Sequence, residues 1–196
     1  MQSRKKKDYF RKDTLKTIAC LGSGSGKCGE AMYDAMEQVG VLLATEGATV
    51  ITGGFGGSGM EAPAKGAQRM GGKTVGYTLI GLPANPYFSE VVDCAKNGDS
   101  PEIQFGTRLG HLLSANGFIV GAAGGAGTLV ELMAIINLNA KFWKEKKKVV
   151  ILKPGSLQCS GWDESMLQQL KSWGVLPDSV EVKVVDTPRA AVAAVL

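Results

Sequence analysis

The sequence predicts an α/β protein: a Rossmann-like, doubly wound, mostly parallel sheet with helices on both faces, built as a single domain. Three observations carry that expectation. Strand-like and helix-like segments alternate from residue 17 to the last residue. Three glycine-rich turns each follow a strand and precede a helix, and 196 residues suffice for one sizeable core but leave little for a second unit. Alternation of this kind is the signature of parallel strands joined by right-handed helical crossovers.

The elements follow in order. Residues 17–21 form the first strand and run into Gly22-Ser23-Gly24-Ser25-Gly26. Met32, Ala35, Met36, Val39, Leu42 and Leu43 then recur at helical spacing until Gly47 closes the helix. A second strand over 49–52 enters the glycine run 53–59, and the helix that follows over 60–70 stops at Gly71-Gly72. Residues 74–78 are the third strand. Pro83, Pro86 and Pro101 make 79–104 read as irregular chain around one short strand near 90–94, a natural position for a lid or substrate loop. A helix over 105–115, a short buried strand over 117–120, the third glycine turn over 121–128 and a helix over 128–140 come next. The basic run 144–148 leads into an apolar strand over 149–152. A helix over 163–173 and a strand over 180–185 precede a last helix over 187–196, opened by Thr187 at the N-cap and Pro188 at the first helical position.

Composition and charge exclude several classes. Glycine, 27 of 196 residues, is about twice its usual ~7% share and lacks a collagen-like period, so the surplus reads as local backbone conformation. Residues 1–16 hold seven Lys/Arg against two Asp, out of 22 and 18 in the whole chain, so residues 17–196 carry 15 basic and 16 acidic side chains. The expected division is therefore a basic disordered tail over 1–16 and a nearly neutral domain over 17–196. A basic tail on a neutral body argues against a nucleic-acid partner, because such binders present a charged face on the folded domain. The start of the chain lacks the apolar stretch of a signal peptide, and no segment approaches ~18 consecutive apolar residues, so no membrane partner is expected and the location is read as cytoplasmic. Cys20, Cys28, Cys94 and Cys159 form no C-x-x-C pair and His111 is the single histidine, which leaves no metal site, no disulfide framework and no Ser-His-Asp triad. His111 is read as a helix-surface or packing residue, and no cofactor is expected.

The chemistry concentrates in the three glycine turns. In an open parallel sheet they lie at the carboxyl ends of the strands, where ligands bind. Glycine lets the backbone approach a phosphate, and the first turn of a helix supplies unpaired N–H donors and partial positive charge. The strongest of the three is the last, where Gly124, Gly125, Ala126, Gly127 and Thr128 are the expected phosphate cradle; Gly22 and Ser23 of the first turn share the crevice. The glycines of the first turn are not matched by an acidic residue ending the next strand, as the G-x-G-x-x-G fingerprint requires, and G-x-x-x-x-G-K-[ST] is absent, which argues against the standard dinucleotide and P-loop readings.

The third turn continues as Gly124-Gly125-Ala126-Gly127-Thr128-Leu129-Val130-Glu131, one helix after Phe105-Gly106-Thr107-Arg108-Leu109. Here the chain resembles the LONELY GUY family of nucleoside 5′-monophosphate phosphoribohydrolases, also called lysine decarboxylase-like proteins. Their hallmark is Pro-Gly-Gly-x-Gly-Thr-x-x-Glu after a helix that carries a functional arginine. The resemblance covers roughly residues 17–185 and includes the second turn, with Gly53, Gly54, Gly59, Met60 and Glu61. It implies Glu131 as the catalytic carboxylate, Arg108 as its positive partner, and Gly53, Gly54, Gly59 and Met60 along the sugar side. Ala123 stands where the motif has proline and Leu109 where the plant-type enzymes have lysine, so the form looks like the bacterial branch.

N-glycosidic cleavage passes through an oxocarbenium-like sugar cation that a carboxylate stabilises. Glu131 lies one helical turn beyond Thr128, so one ligand could set its phosphate at the turn and its ribose at the carboxylate. The expected activity is hydrolysis of a nucleoside monophosphate, or a similar phosphorylated small molecule, to free base and ribose 5-phosphate. The rival expectation is a non-catalytic protein resembling the molybdenum-cofactor carriers, which hold a pterin phosphate. Family members are typically homodimers, and the apolar helix over 129–138, with Met133, Ile135 and Ile136, reads either as that interface or as a core face.

Overall fold

The computed structural model describes residues 16–79, 81–96, 98–155 and 162–196; the basic tail, apart from Lys16, and Cys159 fall outside these residues. Seven strands and six helices alternate as β1 (Thr17–Leu21), α1 (Ala31–Thr45), β2 (Thr49–Thr52), α2 (Glu61–Arg69), β3 (Thr74–Thr78), β4 (Glu90–Asp93), α3 (Pro101–Leu113), β5 (Gly117–Gly121), α4 (Ala126–Lys141), β6 (Lys148–Leu152), α5 (Glu164–Ser172), β7 (Val182–Val185) and α6 (Pro188–Val195).

All strand pairs are parallel, in the order β4-β3-β2-β1-β5-β6-β7. The chain starts at the centre of the sheet, steps outward to β4, returns through α3 to β5 beside β1, and steps outward again to β7. The reversal between β1 and β5 opens a crevice at their carboxyl ends, the general ligand position of such sheets. At the opposite edge Ile18, Gly117 and Lys148 share one row across three strands.

Successive strand residues point to opposite faces, and two apolar layers result. On one face Ala19, Leu21, Ile51, Phe118, Val120 and Ile151 meet Leu112 of α3, Leu132, Ile135 and Ile136 of α4, and Leu167 and Leu170 of α5. On the other, Ile18, Cys20, Val50, Ile119 and Val150 meet Met32, Met36, Val39 and Leu43 of α1, Ala62 and Ala67 of α2, and Val192 and Val195 of α6. Phe118 is fully buried and stacked on Trp143 at 6.0 Å, so truncating it to alanine would cost about 3–5 kcal/mol. Thr187 caps α6 by accepting from the Ala190 N–H, with Pro188 in the first turn.

Two expectations are corrected. Helix α3 begins at Pro101, four residues before the expected start, because Pro101 occupies the first turn, where its missing N–H has no helical partner to lose. Residues 85–89, just before β4, are tied down rather than poised as a lid: the Asn85 N–H donates to Gly54 O at 3.0 Å, its side-chain amide donates to Phe55 O at 2.7 Å, and the Thr74 hydroxyl donates to Tyr87 O at 2.9 Å. Of the two readings left open for α4, Ile135 and Ile136 take the core one at 0% and 2% exposure, while Leu129 and Val130 face outward at 41% and 44%. His111 is exposed on α3 and stacked on Tyr77 at 4.8 Å. No helix among the described residues is long and apolar enough to cross a membrane.

Candidate functional site

The first two glycine loops are interlocked. The Ser58 N–H donates to Ser25 O at 2.8 Å and the Gly59 N–H to Ser23 O at 2.9 Å, so the loops after β1 and β2 pair like short strands. A Cβ on Gly22 would stand 2.9 Å from Gly59 Cα, and one on Gly59 would overlap the Gly22 backbone. Only glycine at both positions permits this approach.

Beneath them lies a cavity of about 360 Å³, with Cys20 and Leu21 at its floor, Gly22, Ser23, Gly24 and Ser25 on one side, Gly53, Met60 and Arg108 on another, and Gly125, Gly127, Thr128 and Glu131 along α4. Burial pushes the Cys20 thiol up to about 12, so it is a neutral wall and not a nucleophile. At the α4 end, Gly125 occupies the N-cap and no side chain caps the helix. The first-turn N–H groups lack intrahelical acceptors and carry the positive end of the helix dipole, which suits an anion.

Arg108 is anchored before it meets any ligand. Its Nε donates to Tyr77 O and its Nη2 to Gly53 O, both at 2.8 Å, and its guanidinium lies 5.4 Å over the Phe55 ring. These bonds fix the guanidinium across the ends of β2 and β3 and turn Nη1 toward Glu131, whose Oε1 is 3.7 Å away. A side chain on Gly53 would overlap the guanidinium. Burial lowers the Arg108 pKa and Glu131 opposes that shift, yet the group stays charged as arginine does in proteins. Glu131, only 9% exposed, is pushed up to about 7 by burial, with Arg108 pulling the other way. A carboxyl poised between its two forms near neutral pH, one helical turn from the uncapped start of α4, can act as an electrostatic stabiliser or in proton transfer.

Of the residues singled out from sequence, Gly22, Ser23, Gly53, Met60, Arg108, Gly125, Gly127, Thr128 and Glu131 converge on this cavity. Gly54, Gly59, Gly124 and Ala126 do not line it. Gly54 lies against Tyr77 and Thr78, Gly59 against Gly22, and Gly124 under the Thr128 side chain; Ala126 sits exposed in the first turn of α4. Gly24 and Ser25 also line it, as members of the first glycine turn; Cys20 and Leu21 were not anticipated, although the last residues of the strand beside the sheet's reversal are the signal that would have found them.

A family model described as SLOG cluster4 matches residues 15–172. The chain belongs to the SLOG cluster4 family. The matched region of this SLOG cluster4 protein contains every residue of the cavity. It is 32% identical over 136 residues to an uncharacterized protein of Archaeoglobus fulgidus, covering 67% of this chain and 77% of that one. The fold is similar to the crystal structure of TM1055, a structural genomics target, at 25% identity and a TM-score of 0.68, covering 91% of this chain and 97% of the other. It is also similar to the molybdenum cofactor carrier protein of Chlamydomonas reinhardtii, at 22% identity and a TM-score of 0.65, covering 92% and 96%.

Proposed function

We propose that this protein is a nucleoside 5′-monophosphate phosphoribohydrolase of the kind its LONELY GUY-like motifs suggest, releasing a free base and ribose 5-phosphate. The observation that carries the reading is the buried Glu131 carboxyl, 3.7 Å from the anchored Arg108 and one turn along α4 from Thr128. The ligand's phosphate takes the first-turn N–H groups from Gly125 to Thr128 and the Thr128 hydroxyl, which directs the ribose toward Glu131. The bond between C1′ and the base nitrogen breaks with its electron pair passing to the base. The ionised Glu131 stabilises the positive charge left on the sugar and orients a water, whose oxygen bonds to C1′ while its proton ends on the base. Arg108 holds Glu131 in place and favours its ionised form.

A second reading, a non-catalytic carrier of a pterin phosphate, draws on the likeness to the molybdenum cofactor carrier protein. The two readings share the phosphate cradle and differ in what they require of Glu131. A homodimer belongs to the leading reading, formed through the outward apolar residues Ile103 and Phe105 of α3 and Leu129 and Val130 of α4. The deciding experiment is incubation of the protein with a panel of nucleoside monophosphates and chromatography for free base. Release from at least one is the expected result; tight binding with no release from any would replace the enzyme by the carrier.

A further inference from the structure

At the amino-terminal edge of the sheet, opposite the crevice, lies a second cleft of about 370 Å³. Lys146, Lys147, Lys148 and Lys183 line it, and Ala193 and Ala194 of α6 form a small-residue wall. Lys146 and Lys147 are held in place: they donate to Asn139 O and Leu113 O, and Lys147 lies 4.2 Å over the Trp143 ring. Among the described residues, the Lys183 ammonium makes an exposed contact of 3.5 Å with Glu181. The ammonium groups of Lys141, Lys144 and Lys148 have no acceptor among the described residues and face solvent.

Charge is concentrated here. Lys146, Lys147, Lys148 and Lys183 against Glu181 give its lining a net +3 in a chain whose residues 17–196 sum to −1. The other residues of 17–196 therefore sum to −4. The chain also enters β1 at this edge: Ile18, Gly117 and Lys148 share a row, so the root of β1 is two strand spacings, about 10 Å, from Lys148. The sixteen residues leading into it add a net +5. Phe142, 67% exposed, stands on the same basic segment. The charged face that the neutral average conceals is therefore present on the folded domain.

We propose that this edge binds single-stranded nucleic acid, with the lysines tracking phosphates along the cleft and Phe142 offering a stacking surface to a base. The site is separate from the glycine-loop cavity and independent of the reading given to that cavity.

The test is fluorescence anisotropy of a labelled 20-nucleotide oligothymidylate with the full-length protein. With about four phosphates neutralised, raising salt from 50 to 200 mM is expected to weaken binding on the order of 50-fold. The double variant Lys148→Glu, Lys183→Glu is expected to weaken it at least tenfold at low salt. Both side chains lie on the surface; if the reversals lower the melting temperature, Lys148→Gln with Lys183→Gln provides the same comparison with less repulsion. Excess ribose 5-phosphate is expected to leave the oligonucleotide bound. No binding at 50 mM salt would overturn the proposal. So would affinity untouched by either double variant, displacement by ribose 5-phosphate, equal affinity for a 20-base-pair duplex, or binding to phosphatidylserine vesicles in preference to the oligonucleotide.

Discussion

Replacing Glu131 with glutamine is expected to stabilise the protein at alkaline pH. The carboxyl titrates at about 7 in the fold against an ordinary 4.5, because burial disfavours its charged form. A group whose pKa is raised by folding contributes stability that is fully present below about pH 4.5 and is lost as pH rises through 7. Once ionised, the buried carboxylate costs about 3 kcal/mol relative to a neutral side chain of the same shape, at ~1.4 kcal/mol for each unit of pKa difference. The attraction of Arg108 is already contained in that figure. Glutamine keeps the shape and cannot ionise, so Glu131→Gln gains about 3 kcal/mol over the parent at pH 8 and under about 1 kcal/mol at pH 5. Guanidinium denaturation of both proteins at the two pH values measures the double difference, which isolates residue 131 from every other titrating group. A variant equal to or less stable than the parent at pH 8 would refute the claim that this carboxylate is held against its own solvation.

Other outcomes follow from the same geometry. Arg108→Lys replaces a planar fork serving two backbone carbonyls with a single ammonium; a loss of about 1–3 kcal/mol and at least tenfold slower base release are expected, and unchanged thermal unfolding would count against the anchoring role. Gly53→Ala drives a methyl group into the Arg108 guanidinium, so about 1–3 kcal/mol of stability is lost together with nucleotide affinity, as calorimetry would record. Leu129→Glu places a charge on the outward face of α4 and is expected to convert a dimer to monomer in sedimentation velocity, whereas a parent that sediments as a monomer would contradict the proposed interface.

Most of the fold was legible because strand and helix periods in this chain are strong and glycine marks the turns between them. The start of α3 was not, since Pro101 serves equally as a loop breaker and as a first-turn residue, and only the tertiary setting selects the latter. The site was legible where it is made of backbone: the turn into α4, and Gly22 and Gly53, announce themselves as glycines after strands. The outward placement of Leu129 and Val130 was not, because a helix apolar on most of its circumference does not declare which side meets the sheet. The dual hold of Arg108 on Gly53 and Tyr77 depends on how β2 and β3 end beside α3, a relation between residues 31 and 55 positions apart that no local pattern records. The raised pKa of Glu131 is likewise a product of burial and not of its neighbours in sequence.

The most direct test of the central claim is to measure nucleoside monophosphate affinity and base release side by side for the parent and for Glu131→Gln. If the carboxylate acts on the sugar cation, base release falls by roughly 10²–10³-fold in the variant while affinity changes little, because the phosphate cradle is intact. A parent that binds monophosphates yet releases no base, or a variant that keeps the parent's rate, would contradict it.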